Sequence, residues 1–223
     1  MPDGQYSFYL HSDDRTDIAA MATISTISQP LRGEFIRTAA TAGAVVYQVD
    51  ARLPALIPVF FAGQLSAVRL YAVMALVSGT WSSLTGLPDE PENGGAALLV
   101  SPETEYQRRR YTLTLQNGRS GERVESVLTE ASSRLRGDLL RNLIITGLAL
   151  HTTAPELPRL LASMPVPPTS VSELQALVQQ MAGTADVSRA AAAVPDTPAT
   201  SDVPVSGADT REIKKNMRRA FGD

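Results

Sequence analysis

The chain of 223 residues has no cysteine and only two histidines, His11 and His151. The absence of cysteine excludes disulfide bonds, thiolate metal sites and cysteine nucleophiles. The two histidines stand far apart in the sequence. A histidine metal site or a Ser/His/Asp triad would therefore have to be built from only two imidazole side chains. We therefore expect no catalytic residues, no metal and no cofactor, and a protein that is not an enzyme.

Lysine is equally scarce, because Lys214 and Lys215 are the only two and both lie in the final ten residues. No glycine turn is therefore followed by a phosphate-binding lysine, and nucleotide-driven work must come from a partner. Long apolar runs are also missing: the longest, Leu70 to Val77, has eight residues, whereas a membrane span needs about 20. The first residues lack the basic and apolar regions of a signal peptide. We expect a cytoplasmic protein with no membrane partner.

The net charge of −3 is distributed unevenly along the chain. Residues 106–182 carry nine arginines against six acidic side chains, whereas residues 85–105 carry five acidic side chains and no basic one. We interpret residues 85–105 as an acidic linker that precedes a basic module. The mean charge therefore does not argue against a nucleic-acid partner.

The chain contains an internal repeat. The segment Leu31–Arg37 recurs as Leu135–Arg141, and at this offset of 104 eight of the thirty residues from 31 to 60 are identical. Upstream, Tyr6–Leu10 matches Tyr111–Leu115 at an offset of 105. Chance similarity of two amphipathic helices is the alternative, but it does not predict the matching strand.

Each repeat begins with a strand, because apolar and polar residues alternate with a period of two in both matched segments. Asp13 and Asp14 in the first copy, and Ser120 in the second, are suited to the N-cap of a first helix. The second helix is predicted over 31–49 and 135–152. A further helical pair follows, ending near residue 78 in the first copy and near residue 181 in the second.

Gly43 and Gly147 occupy equivalent places well inside the second helices. Glycine at such a place costs about 1 kcal/mol relative to alanine. Its occurrence at the same place twice therefore predicts that two helices cross closely there.

A single strand leaves both edges unpaired, so each repeat needs a partner strand. Two copies in one chain supply an antiparallel two-stranded ribbon over helices. The predicted fold class is mainly α, with tandem ribbon-helix-helix repeats that form an intramolecular pseudo-dimer. A ribbon that closes between two chains is the alternative, and the sequence does not decide between them. We assign the first repeat with its helical cap to residues 5–84 and the second to residues 106–182. The ribbon of this architecture enters the DNA major groove.

The polar phase of each strand predicts contacts to DNA bases. Arg108, Arg109 and Arg110, just before the second strand, suit phosphate contact or groove entry. Arg32 and Arg136 lie where the second helices begin, at N-termini that attract phosphate. Alternatively, Glu34 and Asp138 satisfy those helix dipoles, Arg37 and Arg141 form salt bridges, and the strand face is merely solvated. The predicted DNA-binding residues are Ser7, Tyr9, His11, Arg32, Arg110, Thr112, Thr114, Gln116 and Arg136.

Composition changes again towards the C-terminus. Residues 183–208 are rich in Ala, Pro, Thr, Ser, Asp and Val, which predicts a disordered linker. Residues 209–223 regain a helical pattern with an apolar stripe beside a basic face, typical of a helix that folds into a partner's groove. A nonspecific basic tail for DNA is the alternative. The predicted partner-binding residues are Ile213, Lys214, Lys215, Met217, Arg218 and Phe221.

Together these features resemble the ParR family, the centromere-binding adaptors of actin-type plasmid partition systems. The resemblance is carried by Phe8–His11, Leu31–Tyr47, Asp50–Pro54 and Thr210–Met217. It implies binding to repeated centromere DNA through the ribbon, self-association on that DNA, and capture of an actin-like ParM filament by the C-terminal helix. Such adaptors often also repress their own operon.

The chain departs from the family pattern in length, because typical members are about half as long and dimerise to complete one DNA-binding unit. One chain would then correspond to one family dimer that carries a single tail. A ribbon-helix-helix transcriptional repressor without a filament partner is the alternative function.

Overall fold

The computed structural model describes residues 4–80 and 107–192. The described residues up to Ser188 belong to one compact unit, and residues 189–192, the end of the last helix, belong to a second. The predicted acidic linker, residues 193–208 of the predicted C-terminal linker and the predicted partner-binding helix lie outside the described residues. None of the described helices has the length and apolarity that crossing a bilayer requires.

The described residues are mainly helical, as predicted, and the two repeats have the same order of elements. The first comprises β1 (Gln5–His11), α1 (Arg15–Ser25), a one-turn 3₁₀ helix (Gln29–Leu31), α2 (Arg32–Val49), α3 (Leu53–Phe60) and α4 (Ala67–Ser78). The second comprises β2 (Arg108–Thr114), α5 (Arg119–Glu130), α6 (Arg136–Thr153), α7 (Leu157–Ser163) and α8 (Val171–Ala192).

The two strands pair with each other in an antiparallel ribbon. The register runs from Gln5 opposite Thr114 to His11 opposite Arg108, with Ser7 opposite Thr112 at the centre. Ser7 and Thr112 are themselves equivalent residues of the two repeats, at the offset of 105. A pseudo-twofold axis therefore passes between them. The ribbon closes within one chain, which is the pseudo-dimer and not the alternative of closure between two chains.

The same axis passes through the crossing of α2 and α6. Gly43 lies against the backbone of Leu143, and Gly147 lies against the backbone of Ala39, so that a Cβ added at either glycine would lie 2.6 Å from the facing carbonyl carbon. Ala39 and Leu143 are equivalent at the offset of 104, as are the two glycines. The predicted close crossing is therefore confirmed, and it is symmetric.

One hydrophobic core contains residues of both repeats. The ribbon contributes Phe8, Leu10 and Leu113, and the residue after β2 contributes Leu115; all four are buried against the helices. Because alternate residues of a strand point to opposite faces, burial of this phase turns the polar phase of both strands away from the helices.

Two helix boundaries differ from the prediction. The N-cap of α5 is Gly118, with φ of 136°, rather than Ser120, whose hydroxyl instead donates to the carbonyl of Ala162 at 3.2 Å. Helix α8 continues to Ala192, so the first ten residues of the predicted disordered linker, 183–192, are helical. They contain four alanines and no proline, and alanine has the highest helix propensity, which outweighs the polar composition there.

Candidate nucleic-acid interface

The ribbon presents eight outward positions, which we call the outer face. All four positions on β2 are exposed, and so is Gln5 on β1. The other three positions on β1 are partly buried. Antiparallel pairing places the two strands side by side, so all eight positions share one surface. The outer face consists of Gln5, Ser7, Tyr9, His11, Arg108, Arg110, Thr112 and Thr114.

Two arginines of the outer face are held by neighbours on β1. The Arg110 guanidinium donates from Nε and Nη2 to the Ser7 hydroxyl oxygen, at 3.2 and 2.9 Å. The guanidinium carbon of Arg108 lies 3.5 Å from the centroid of the Tyr9 ring, a cation–π contact. Each guanidinium has five N–H donors, so these contacts orient the side chains and leave donors for a ligand.

Arg109 lies in the opposite phase of β2. Its guanidinium carbon is 5.2 Å from the ring centroid of Tyr111, which in turn stacks on Phe8 with 5.3 Å between ring centroids. The three consecutive arginines are therefore not equivalent, because only the first and third belong to the outer face.

Arg32 and Arg136 have a structural role that the sequence did not indicate. Arg32 donates from Nε to the carbonyl of Ile27 at 2.8 Å and from Nη2 to that of Ser25 at 3.3 Å. Arg136 makes the equivalent bond to the carbonyl of Ala131, at 3.2 Å. Both arginines thus close the corner between the first and second helix of their repeat, and their contact with phosphate stays a prediction.

His11 and Gln116, equivalent at the offset of 105, lie at opposite ends of the ribbon. The backbone N–H of His11 donates to Asp17 Oδ2 at 2.9 Å. Gln116 follows the end of β2, is exposed, and has its backbone carbonyl packed against Gly121. Residue 116 therefore extends the outer face by one position beyond the paired register.

An ion pair between the repeats lies at the His11 end of the ribbon. Asp17 is fully buried and accepts from Arg141 Nε and Nη2, both at 2.7 Å, and Arg141 Nη2 also lies 3.2 Å from Asp14 Oδ2. Burial raises the pKa of the Asp17 carboxyl, and the hydrogen bonds from His11 and Arg141 oppose that rise.

Arg37, the equivalent of Arg141, pairs instead with the exposed carboxylate of Glu34 at 2.7 Å. Of the alternatives for these two arginines, the salt bridge is therefore the one observed.

Gln5 belongs to the outer face but is absent from the predicted DNA-binding residues, and Arg108, predicted only for phosphate contact or groove entry ahead of the strand, lies within β2 on the same face. Both could have been found by extending the period of two beyond the aromatic residues that marked the strand ends. Gln5 is in phase with Ser7, and Arg108 is in phase with Arg110 and Thr112. In both strands the apolar signal begins after the strand does.

A family model described as "Plasmid stability protein" matches the chain twice, over residues 4–74 and 109–178. The two matches cover more than half of the chain and follow the two structural repeats, which supports a repeated, plasmid-related module. No curated protein and no solved structure matches the chain.

Proposed function

Because this chain belongs to the plasmid stability protein family, we propose that it maintains a plasmid as a partition adaptor of the ParR type. The ribbon binds centromere-like DNA repeats in the major groove, and copies of the chain associate with one another on that DNA. The C-terminal helix captures an actin-like ParM filament. The chain itself is no enzyme, and the filament protein supplies the nucleotide-driven work.

The outer face is the observation that carries the DNA-binding part. The B-DNA major groove is about 12 Å wide and admits a two-stranded ribbon. The eight outer-face positions include two arginines, two threonines, a serine and a glutamine but no acidic residue. Guanidinium groups bind guanine O6 and N7, or phosphate, whereas glutamine and threonine form hydrogen bonds with the edges of other bases. The face is therefore locally cationic and rich in hydrogen-bonding groups on a chain of net negative charge.

The test begins with selection of bound DNA from random duplexes by the full chain, followed by the variant Arg110→Ala. We expect this variant to bind the selected duplex about 5- to 150-fold more weakly, because a bidentate arginine contributes about 1–3 kcal/mol of base discrimination. Affinity for a scrambled duplex falls much less, since only an electrostatic contact is lost there. Dissociation constants at one fixed salt concentration give both values.

The matched control is Arg69→Ala, which removes the same charge from an exposed position on α4. It should leave the ratio of the two dissociation constants unchanged. An equal loss on both duplexes for Arg110→Ala would contradict base readout by that residue. Failure to select any duplex would contradict DNA binding.

Deletion of residues 209–223, which lie outside the described residues, separates an adaptor from a repressor. An adaptor without this segment should bind its DNA site with unchanged affinity and lose plasmid retention, because filament capture is lost. A repressor with no filament partner should keep all of its activity. Retention of the plasmid over generations without selection, together with DNA affinity, measures the difference.

Two matched triple variants identify what the segment binds. Replacing Ile213, Met217 and Phe221 by alanine removes the apolar stripe, and replacing Lys214, Lys215 and Arg218 by alanine removes basic charge from the same helix. Docking into a protein groove requires the apolar stripe. If the second variant loses DNA affinity while the first keeps its full DNA affinity, the segment is a nonspecific DNA-binding tail instead.

A further inference from the structure

The two halves of the ribbon differ chemically, and from this difference we propose that the chain reads a non-palindromic DNA site in one orientation. The proposal rests on the proposed DNA binding. A ribbon built from two identical chains presents the same side chains to both half-sites, so its operator mirrors the protein's twofold symmetry. Here one chain supplies both strands, and nothing requires the two half-sites to match.

The pseudo-twofold axis between Ser7 and Thr112 divides the outer face. Gln5 and Thr114, which pair with each other, lie on one side of it, and we call them the amide half. Tyr9 and Arg110 pair on the other side and form the arginine half. The axis relates Gln5 to Arg110 and Thr114 to Tyr9 at the offset of 105. Neither equivalent pair is chemically conserved.

The equivalent residues favour different bases. Glutamine bonds adenine through N6 and N7, whereas arginine bonds guanine through O6 and N7. Each lies two residues from the axis, about 7 Å along the strand. We therefore expect an adenine on one side of the centre at the place where a guanine stands on the other.

Contacts within the ribbon strengthen the difference between the halves. Arg110 is fixed by the Ser7 hydroxyl and Arg108 is stacked on Tyr9, so both oriented cations of the outer face lie in or next to the arginine half. Gln5 and Thr114 are exposed and bring no charge. The outer face itself is thus more positively charged on one side of the axis than on the other.

The corners that follow the strands differ as well. At the offset of 104, Asp13, Asp14 and Asp17 of the first repeat are replaced by Asn117, Gly118 and Gly121 of the second. The corner at the arginine end therefore carries three carboxylates, of which Arg141 contacts two, and the other corner has none at these positions. DNA phosphates next to the ribbon would experience a different electrostatic potential at each end. This difference also favours a single orientation of the DNA site on the ribbon.

The experiment compares the selected duplex with two palindromes derived from it, each built by repeating one half-site. Wild-type chain should bind each palindrome about tenfold or more weakly than the selected duplex, because each places wrong bases opposite one half of the ribbon. Equal affinity for the selected duplex and either palindrome would overturn the proposal. Selection of a palindromic site would do the same while leaving DNA binding intact.

A symmetrised variant tests the assignment of the halves. Gln5→Arg combined with Thr114→Tyr gives both halves the arginine-half side chains at two exposed positions. This variant should prefer the palindrome of the arginine half-site over the selected duplex, a reversal of the wild-type order. The same order as wild type would contradict the assignment. Absence of any selected duplex would refute the proposed function itself, and the proposal with it.

Discussion

Replacing Gly43 by alanine is expected to destabilise the protein by about 3 kcal/mol, the upper range for overpacking a core. The added Cβ would lie 2.6 Å from the carbonyl carbon of Leu143 and closer still to its oxygen. The obstacle is backbone of α6, not a flexible side chain, so relief requires that the two central helices separate. Urea unfolding measures the loss as a lower midpoint at an unchanged m-value.

Gly33→Ala is the matched control in the same helix. A Cβ there meets only the guanidinium of Arg37, at 3.7 Å, which is ordinary contact. Because alanine is the better helix former, this control should leave stability unchanged or slightly increased. Equal effects of Gly33→Ala and Gly43→Ala would contradict the close crossing.

Gly147→Ala provides a second check from the other side of the axis. It should cost as much as Gly43→Ala, because its Cβ would meet the Ala39 backbone at the equivalent place. Once the helices have separated to accommodate one added methyl group, the second methyl group costs less. The double variant should therefore lose less stability than the sum of the losses in the two single variants.

The central architecture could be predicted because the chain repeats itself. The shared offset identified Gly43 and Gly147 as equivalent. Because glycine is unfavourable in a helix interior, its presence at both places indicates that packing requires it there. The reason is the symmetric packing of Gly43 on Leu143 and Gly147 on Ala39. Pairing of the two strands followed from the same comparison, since a lone strand in each repeat lacks a partner.

The ends of the strands were harder to predict. The apolar alternation of β2 begins at Tyr111, whereas the strand begins at Arg108. Two interactions extend β2 to Arg108: pairing with β1 and the stacking of Arg108 on Tyr9. Neither interaction leaves an apolar signal in the sequence. The outer face is consequently larger than predicted.

Contacts between the repeats could not be predicted from local patterns. Asp17 and Arg141 are 124 residues apart, and the residues around neither of them identify the other as its partner. Arg32 and Arg136, predicted to contact phosphate because they begin helices, also bond to corner carbonyls five residues upstream, a role that the sequence did not indicate. Only the folded arrangement identifies these partners.

Replacing Arg141 by alanine is expected to cost about 3 kcal/mol at neutral pH, because it leaves the buried Asp17 carboxylate without its cation. Arg37→Ala is the matched control, since the equivalent arginine pairs with an exposed glutamate. That control should cost no more than about 1 kcal/mol. Urea unfolding of both variants at pH 7 gives the comparison.

The cost of Arg141→Ala should also depend on pH. Burial already raises the pKa of Asp17, and loss of the Arg141 bond raises that pKa further. A carboxyl with a higher pKa in the folded than in the unfolded state favours folding at low pH, and this contribution is lost as the pH rises through the folded pKa. The difference in stability from wild type should therefore shrink as the pH falls through the pKa of Asp17 in the variant. A difference independent of pH would mean that the arginine acts through the packing of its stem.

Asp17→Asn in the Arg141→Ala background separates charge from architecture. The amide still accepts from the backbone N–H of His11 but carries no charge, so the double variant should be more stable at pH 7 than Arg141→Ala alone. The second repeat supports this expectation, because its equivalent corner closes with Gly121 against the Gln116 carbonyl, where no carboxylate stands. The fold therefore does not require the ion pair, and removing both partners should cost less than leaving Asp17 charged and alone. A double variant less stable than Arg141→Ala would show that the carboxylate stabilises this corner even without its arginine.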